Sequence, residues 1–417
     1  MSAPFLRFIF GLILAGSASG APNTAELTFE ARSFPAPLAK AHPAALHDIP
    51  VVSIRFLPVD EGFIDSRKAP NFREPGHYPV EAVNAKIDMV NQRLVYALTE
   101  GSRFRGYKFP NNPPSLGYRV VADFVCYDQP PANPNIDPHR KGGRPLDYKK
   151  IMAAIDGERL VNELGVKEFW VWFAPADDGF PGARAVGMDP NDYRCILPSN
   201  MASPTTGDVT NTNDWDDDLP IYKKTYIVYE DSIYRPTAAA LIGRGQQLAF
   251  MFSHAATQQD GNDDFFWRKF AGRNSGVPYR MNPSHCGAWD YTPNGSAPLD
   301  CSNSRKVRSD IEDWNPDGTA PKKRISEKNW SRIHYEWPAA SQPVALKDLA
   351  QWIVYWMQAM PGHDNRIPSK DGALTNWWLF VADWDKAMTE KQGLYTPGPP
   401  VPFPPLEKFP RRMHIRQ

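Results

Sequence analysis

The sequence predicts an α/β fold built on a largely parallel central sheet with flanking helices. Two patterns carry that prediction. Short β-branched and aromatic runs alternate with amphipathic helical stretches through the first half, and such alternation calls for right-handed crossovers and parallel strands. The second pattern is compositional: 42 prolines and 28 glycines stand in 417 residues, proline at about twice its average share. Those residues imply long Pro/Gly/Asn-rich loops, gathered in the C-terminal half.

The elements follow in order. Val51–Leu57 is the first strand. Pro79 opens a helix with Val83, Ile87, Val90, Leu94 and Leu98 at spacings of three and four, and Gly101 stops it. Tyr118–Cys126 is the second strand. Asp147 caps a second helix carrying Ile151, Ile155, Leu160 and Leu164, stopped by Gly165. Glu168–Phe173 and Lys224–Tyr229 are the third and fourth strands. A helix begins at Pro236 and runs to about Gln258; Gly243-Arg244-Gly245 interrupts its pattern at about 1 kcal/mol per mid-helix glycine, which reads as a kink or close packing rather than a phosphate loop. Leu346–Met360 is apolar nearly all round, so it reads as a buried helix. Asn376–Ala382 fits a strand or a helix equally.

The ends indicate compartment. One basic residue (Arg7), an apolar run from Phe8 to Leu14 and small residues from Ala15 to Ala21 form the pattern of a secretory signal peptide over residues 1–20. The run is far shorter than the ~20 apolar residues that span a bilayer. Residues 21–48 read as an Ala/Pro-rich tether. Residues 49–394 read as one large domain, with a loop-rich subdomain at about 260–340, and 395–417 as a Pro-rich basic tail. The expected protein is thus secreted, extracellular or periplasmic, with no membrane span. Equal numbers of basic and acidic residues, 47 each, leave no basic excess to displace counterions, which excludes a nucleic-acid binder. The 42% hydrophobic content excludes a disordered chain.

An exported chain with four cysteines and no Cys-x-x-Cys pair calls for two disulfides, with three pairings open. Cys286 with Cys301 is favoured, because that bridge would close a Pro/Gly/Asn-rich loop and stabilise by ~3 kcal/mol. Cys126 and Cys195 follow by elimination. Buried free thiols are the alternative.

Ligands of parallel sheets bind beyond the strand C-termini. Acids follow each expected strand: Asp60-Glu61, Asp128, Asp177-Asp178 and Glu230-Asp231. Acids also solvate loops and cap helices. Read functionally, the cluster suits glycoside hydrolysis, in which one carboxyl protonates the leaving oxygen and another activates water or attacks. Glu230 and Asp178 are the expected acid and base, with Asp128 in support. Acid spacing also suggests calcium. Asp214, Asp216 and Asp218 hold the one-three-five spacing of a calcium loop, as do Asp313, Asn315 and Asp317 with Gly318 at position six. Leu219 replaces the glycine of the first, and Thr225 and Arg324 replace the closing acids. Asn-Pro-Asp-Gly is equally a type I turn. Tryptophans in the loop-rich segments, chiefly Trp289 and Trp314, are expected platforms for a sugar ring, whose faces are apolar. Core packing is the alternative for each.

No Gly-x-Ser-x-Gly elbow, His-Glu-x-x-His motif or P-loop occurs. Sequence therefore points to a secreted hydrolase acting on an extracellular polysaccharide or glycan. A non-catalytic, calcium-stabilised exported binding protein is the competing reading.

Overall fold

The computed structural model describes residues 27–32, 44–69, 78–133, 146–174, 199–210, 218–233, 236–273, 281–332 and 344–398. Its first nine strands are β1 (Glu30–Ala31), β2 (His47–Phe56), a short ribbon of β3 (Val59–Asp60) and β4 (Phe63–Ile64), β5 (Leu116–Cys126), β6 (Glu168–Phe173), β7 (Ser199–Ser203), β8 (Gly207–Thr210) and β9 (Tyr226–Ser232). Seven of them form one sheet in the order β1-β5-β2-β6-β9-β7-β8. The centre, β5-β2-β6-β9, is parallel throughout. Beyond it, β1 runs antiparallel to β5, and the β7–β8 hairpin returns antiparallel beside β9. The parallel centre matches the sequence, and the sheet as a whole is mixed. From β2 the chain moves to β5 on one side, then crosses to β6 on the other, the reversal of a doubly wound sheet.

Helices cover both faces. On one lie α1 (Val80–Gly101) and the long helix α4 (Thr237–Asp260); on the other lie α2 (Tyr148–Ala154) and α3 (Gly157–Asn162). The heptad-like apolar stripe of α1 is buried as its spacing requires, with Val83, Ile87, Val90, Leu94 and Leu98 all in the core. Period-two alternation divides β6 in the same way. Trp170 and Trp172 face α4, whereas Phe169, Val171 and Phe173 face α2 and α3.

Two elements depart from expectation, and a third settles an open alternative. The helix after Asp147 breaks at Asp156, which takes φ 56°, and resumes as α3; Asp147 still caps its start through Lys150 N. The glycines of Gly243-Arg244-Gly245 do not break α4, and of kink and close packing the second is found. A Cβ at Gly245 would lie 2.6 Å from Cβ of Trp289, so the missing side chain lets the loop approach the helix. Most important for the site, β9 runs to Ser232 rather than Tyr229. It pairs with β7 as far as Tyr229 and with β6 through Ser232, so Glu230 and Asp231 lie inside the strand, paired with Val171 and Trp172.

The second half adds a π-helical turn (Phe265–Phe270), two ribbons, β10 (Val307–Ser309) with β11 (Lys323–Ile325) and β12 (Gly372–Leu374) with β13 (Tyr395–Pro397), and α5 (Glu327–Trp330), α6 (Val344–Gln358), α7 (Leu379–Ala382) and α8 (Trp384–Thr389). The ambiguous Asn376–Ala382 segment thus ends in a short helix. As expected, α6 is buried; it packs on α1 and α4 through residues including Trp352 and Trp356. Residues of the expected tether enter the sheet, with Glu30 and Ala31 forming β1 and His47 opening β2.

Cys126, Cys286 and Cys301 are free, buried thiols, so the expected Cys286–Cys301 bridge is not formed. The buried alternative fits: the loop is held instead by packing and by Trp330 Nε1, which donates to Cys301 O at 3.0 Å. Cys195 lies outside the described residues, as do the signal segment and the residues of the tail beyond 398. Among the described residues no helix is long and apolar enough to cross a membrane.

Candidate active site at the carboxyl end of the sheet

Alternation along β9 sends its two acids to opposite faces. Glu230 points toward α2, where the Tyr148 hydroxyl hydrogen-bonds to its Oε1. Asp147 caps that helix and so fixes the backbone that presents Tyr148. Only 7% of Glu230 is exposed. Burial pushes its carboxyl up to about 7, against the opposing effect of the Tyr148 hydrogen bond. Asp231 points toward α4 and forms a bidentate ion pair with Arg244, with both N···O distances 2.6 Å. The guanidinium lies over the rings of Tyr229 and Trp170, at 4.4 and 5.1 Å. A buried charge is tolerable only with such partners.

A small crevice opens where these strands end. Trp172, Glu230, Asp231 and Ser232 form its strand side; Pro236, Ala239, Ala240 and Gly243, one face of the first turns of α4, form the other. Small residues on that helix face leave the space.

The other expected catalytic residues do not gather here. Asp128 follows β5, and its carboxylate binds Lys68 Nζ at 2.7 Å and the Gln129 N–H at 2.8 Å. The Lys68 contact holds it below the ordinary carboxylate range, and its side chain is 59% exposed. The ends of β5 and β9 are level in register but separated by β2 and β6, about 14 Å at ~4.8 Å per strand. That exceeds the ~5–10 Å at which two carboxyls share a glycosidic bond. Asp178 lies outside the described residues.

Of the expected calcium ligands, Asp214 and Asp216 also lie outside the described residues. Asp218 is buried and accepts from Asn200 Nδ2 at 3.1 and 3.2 Å, while its backbone N–H donates to Asp208 Oδ2 at 3.0 Å. Both acids lie near enough to Tyr148 to raise its hydroxyl pKa, so Asp218 belongs to the surroundings of Glu230. In the second loop the residues face separate partners. Asp313 binds Lys108 at 2.5 Å and Lys323 at 2.6 Å. Asn315 accepts from Thr319 N at 3.1 Å, and Asp317 accepts from Lys370 N at 3.1 Å. This is the turn alternative. Among the described residues no three His, Cys, Asp or Glu side chains are arranged to hold a metal ion.

Neither expected sugar platform is open. Trp314 is 1% exposed, wedged among Phe265, Phe270 and Trp377, with its Nε1 donating to Lys269 O. Trp289 is 8% exposed and packs on Gly245 of α4. Both occupy the core, because the second half folds its loops over an aromatic interior.

Sequence reading missed Tyr148, Arg244 and Trp172 as parts of the site. Asp147's capping position placed Tyr148 at a helix start, but only the fold brings that start over β9. A second buried acid, Glu168, sits at the opposite end of β6. Its two oxygens accept from Tyr118 and Trp170, a fully partnered arrangement that reads as structural.

Fold and site together define a doubly wound α/β protein with a buried, near-neutral carboxyl at the end of an outer parallel strand. Comparison with known protein families, with curated proteins and with solved structures finds no match.

Proposed function

We propose that the protein is a secreted hydrolase in which Glu230 is the proton donor, with carbohydrate as its substrate class. One observation carries this reading: Glu230, buried with its carboxyl raised to about 7 and held by Tyr148, stands beside a crevice at the carboxyl ends of parallel strands. A group with that pKa is protonated in a large fraction of molecules at neutral pH and can give its proton to a leaving oxygen. Tyr148 holds it in place, and the Asp231–Arg244 pair fixes the neighbouring backbone to α4. Asp178 stays the proposed partner base. Asp128, tied to Lys68, is left without a catalytic part.

Turnover on a panel of polysaccharides and aryl glycosides tests this assignment. Glu230→Gln should abolish it, at least ~10²-fold, with folding intact, whereas Asp128→Asn should leave it within a factor of about two. Full activity in Glu230→Gln sinks the proposal.

The alternative, a non-catalytic exported binding protein stabilised by calcium, is favoured by the commitment of the carboxyls around Glu230, since Asp231 is paired with Arg244 and Asp218 accepts from Asn200. Metal analysis with thermal melts in chelator separates the two. A large chelator shift without turnover selects the binding protein.

A further inference from the structure

One residue that lines the crevice carries a buried donor with no acceptor. Trp172 is 1% exposed and forms part of the wall, yet its indole N–H makes no hydrogen bond. Five tryptophans of the interior, Trp314, Trp330, Trp352, Trp356 and Trp377, each donate to a backbone carbonyl, whereas Trp378, away from the crevice lining, shares the lack of an acceptor. One residue past the crevice-lining Pro236, Thr237 is also fully buried with its hydroxyl unpartnered. Leaving a buried donor unsatisfied costs about 1–3 kcal/mol, so such groups mark places where a partner is expected to arrive.

The chemistry of the wall selects the partner. A bound anion would lie against the Asp231 carboxylate, and the nearby guanidinium, Arg244, is already committed to Asp231 through both terminal nitrogens. A cation would suit the acids but would face the indole N–H and leave it unpaired. A hydroxyl satisfies both requirements, since it accepts one hydrogen bond and donates another. The small side chains of Ala239, Ala240 and Gly243 leave room for a group of that size.

Resting on the hydrolase reading for its place in a substrate site, we propose that this crevice is a hydroxyl-recognition subsite in which Trp172 Nε1–H donates to one hydroxyl of a polyhydroxylated substrate while a crevice carboxyl accepts from it. Trp172 is then a specificity-determining residue. Its ring stays in the core, and its N–H alone reads the ligand. A site of this kind discriminates strongly against analogues lacking the hydroxyl, because its buried polar groups would stay unpaired.

Indole N–H resonances of the full-length, ¹⁵N-labelled protein test this directly. Trp172 is assigned by the signal lost in Trp172→Phe; if that variant does not fold, the crevice-narrowing Ala240→Val identifies the same resonance by its displacement. Titration with glucose should shift the Trp172 signal, and acetate and inorganic phosphate should not. Ala240→Val should weaken the response to glucose about tenfold or more. A shift with acetate or phosphate instead, no shift with any probe, or an unchanged glucose response in Ala240→Val would overturn the proposal. Glu230→Gln separates the two readings. Persistence of the glucose shift in that variant, with no turnover by the wild type, removes the hydrolase and leaves the subsite. Turnover by the wild type without a glucose shift does the reverse.

Discussion

Glu230→Gln carries a thermodynamic signature that can be measured before any substrate is known. In the folded protein burial raises the carboxyl from 4.5 to about 7. Below pH 4.5 the carboxyl is protonated in both folded and unfolded chains, and glutamine is close to isosteric with it, so variant and wild type should have similar stability. Between pH 4.5 and 7 the unfolded chain releases its proton while the folded chain keeps it. Wild-type stability therefore falls through that window by about 1.4 kcal/mol per pH unit, or about 3 kcal/mol in all. The variant has no such group, so it should be the more stable protein above pH 7, by about 3 kcal/mol, or about 4 °C in Tm for a chain of this length. Denaturant unfolding of both proteins at pH 4, 6 and 8 measures the difference. A stability gap that is the same at all three values would refute the claim that Glu230 is a buried, proton-holding acid. The proton-donor assignment would then lose its support.

Three further outcomes follow from the same geometry. Tyr148→Phe removes the hydrogen bond that favours the charged form of Glu230, so the alkaline limb of any pH–activity profile should move upward; a downward move contradicts the contact. Arg244→Met strands the buried Asp231 carboxylate and should destabilise the fold by about 3–5 kcal/mol in equilibrium unfolding, whereas a neutral result would show that the pair is not desolvated. Alkylation of the native protein should leave Cys126, Cys286 and Cys301 unmodified until denaturant is added, and a Cys286–Cys301 peptide in a non-reducing digest would disprove the free thiols.

Local signals made the parallel centre legible. Strand 168–173 and helix 80–101 are bounded in the structure where spacing, Pro79 and Gly101 place them. Glu230 is legible in the sequence as an acid near a strand end, whereas its burial against Tyr148 depends on a residue some 80 positions away. Elements set by tertiary contact were hidden. The extension of β9 over polar residues rests on pairing with β6, and the glycine at 245 within α4 is explained by Trp289, which lies against it. Trp314 and Trp289 misled because loop-rich sequence was equated with exposure, whereas these loops wrap an aromatic core. The spacing of Asp313, Asn315 and Asp317 serves a turn as well as a cation loop, and in the structure each faces its own partner, Lys108, Thr319 and Lys370.

The packing of α6 on α1 bears on when the chain can fold. A Cβ on Gly101 would lie 2.5 Å from Met357 Cε, and Gln358 donates to Glu100 O at 3.0 Å, so helices some 250 residues apart form one contact. Until residue 358 has been synthesised, the apolar stripe of α1 has lost part of its cover, and the nascent sheet cannot close over that face. Such long-range dependence slows folding. Under the export proposed above, slow folding would have a use, because the polypeptide would stay threadable for most of its synthesis.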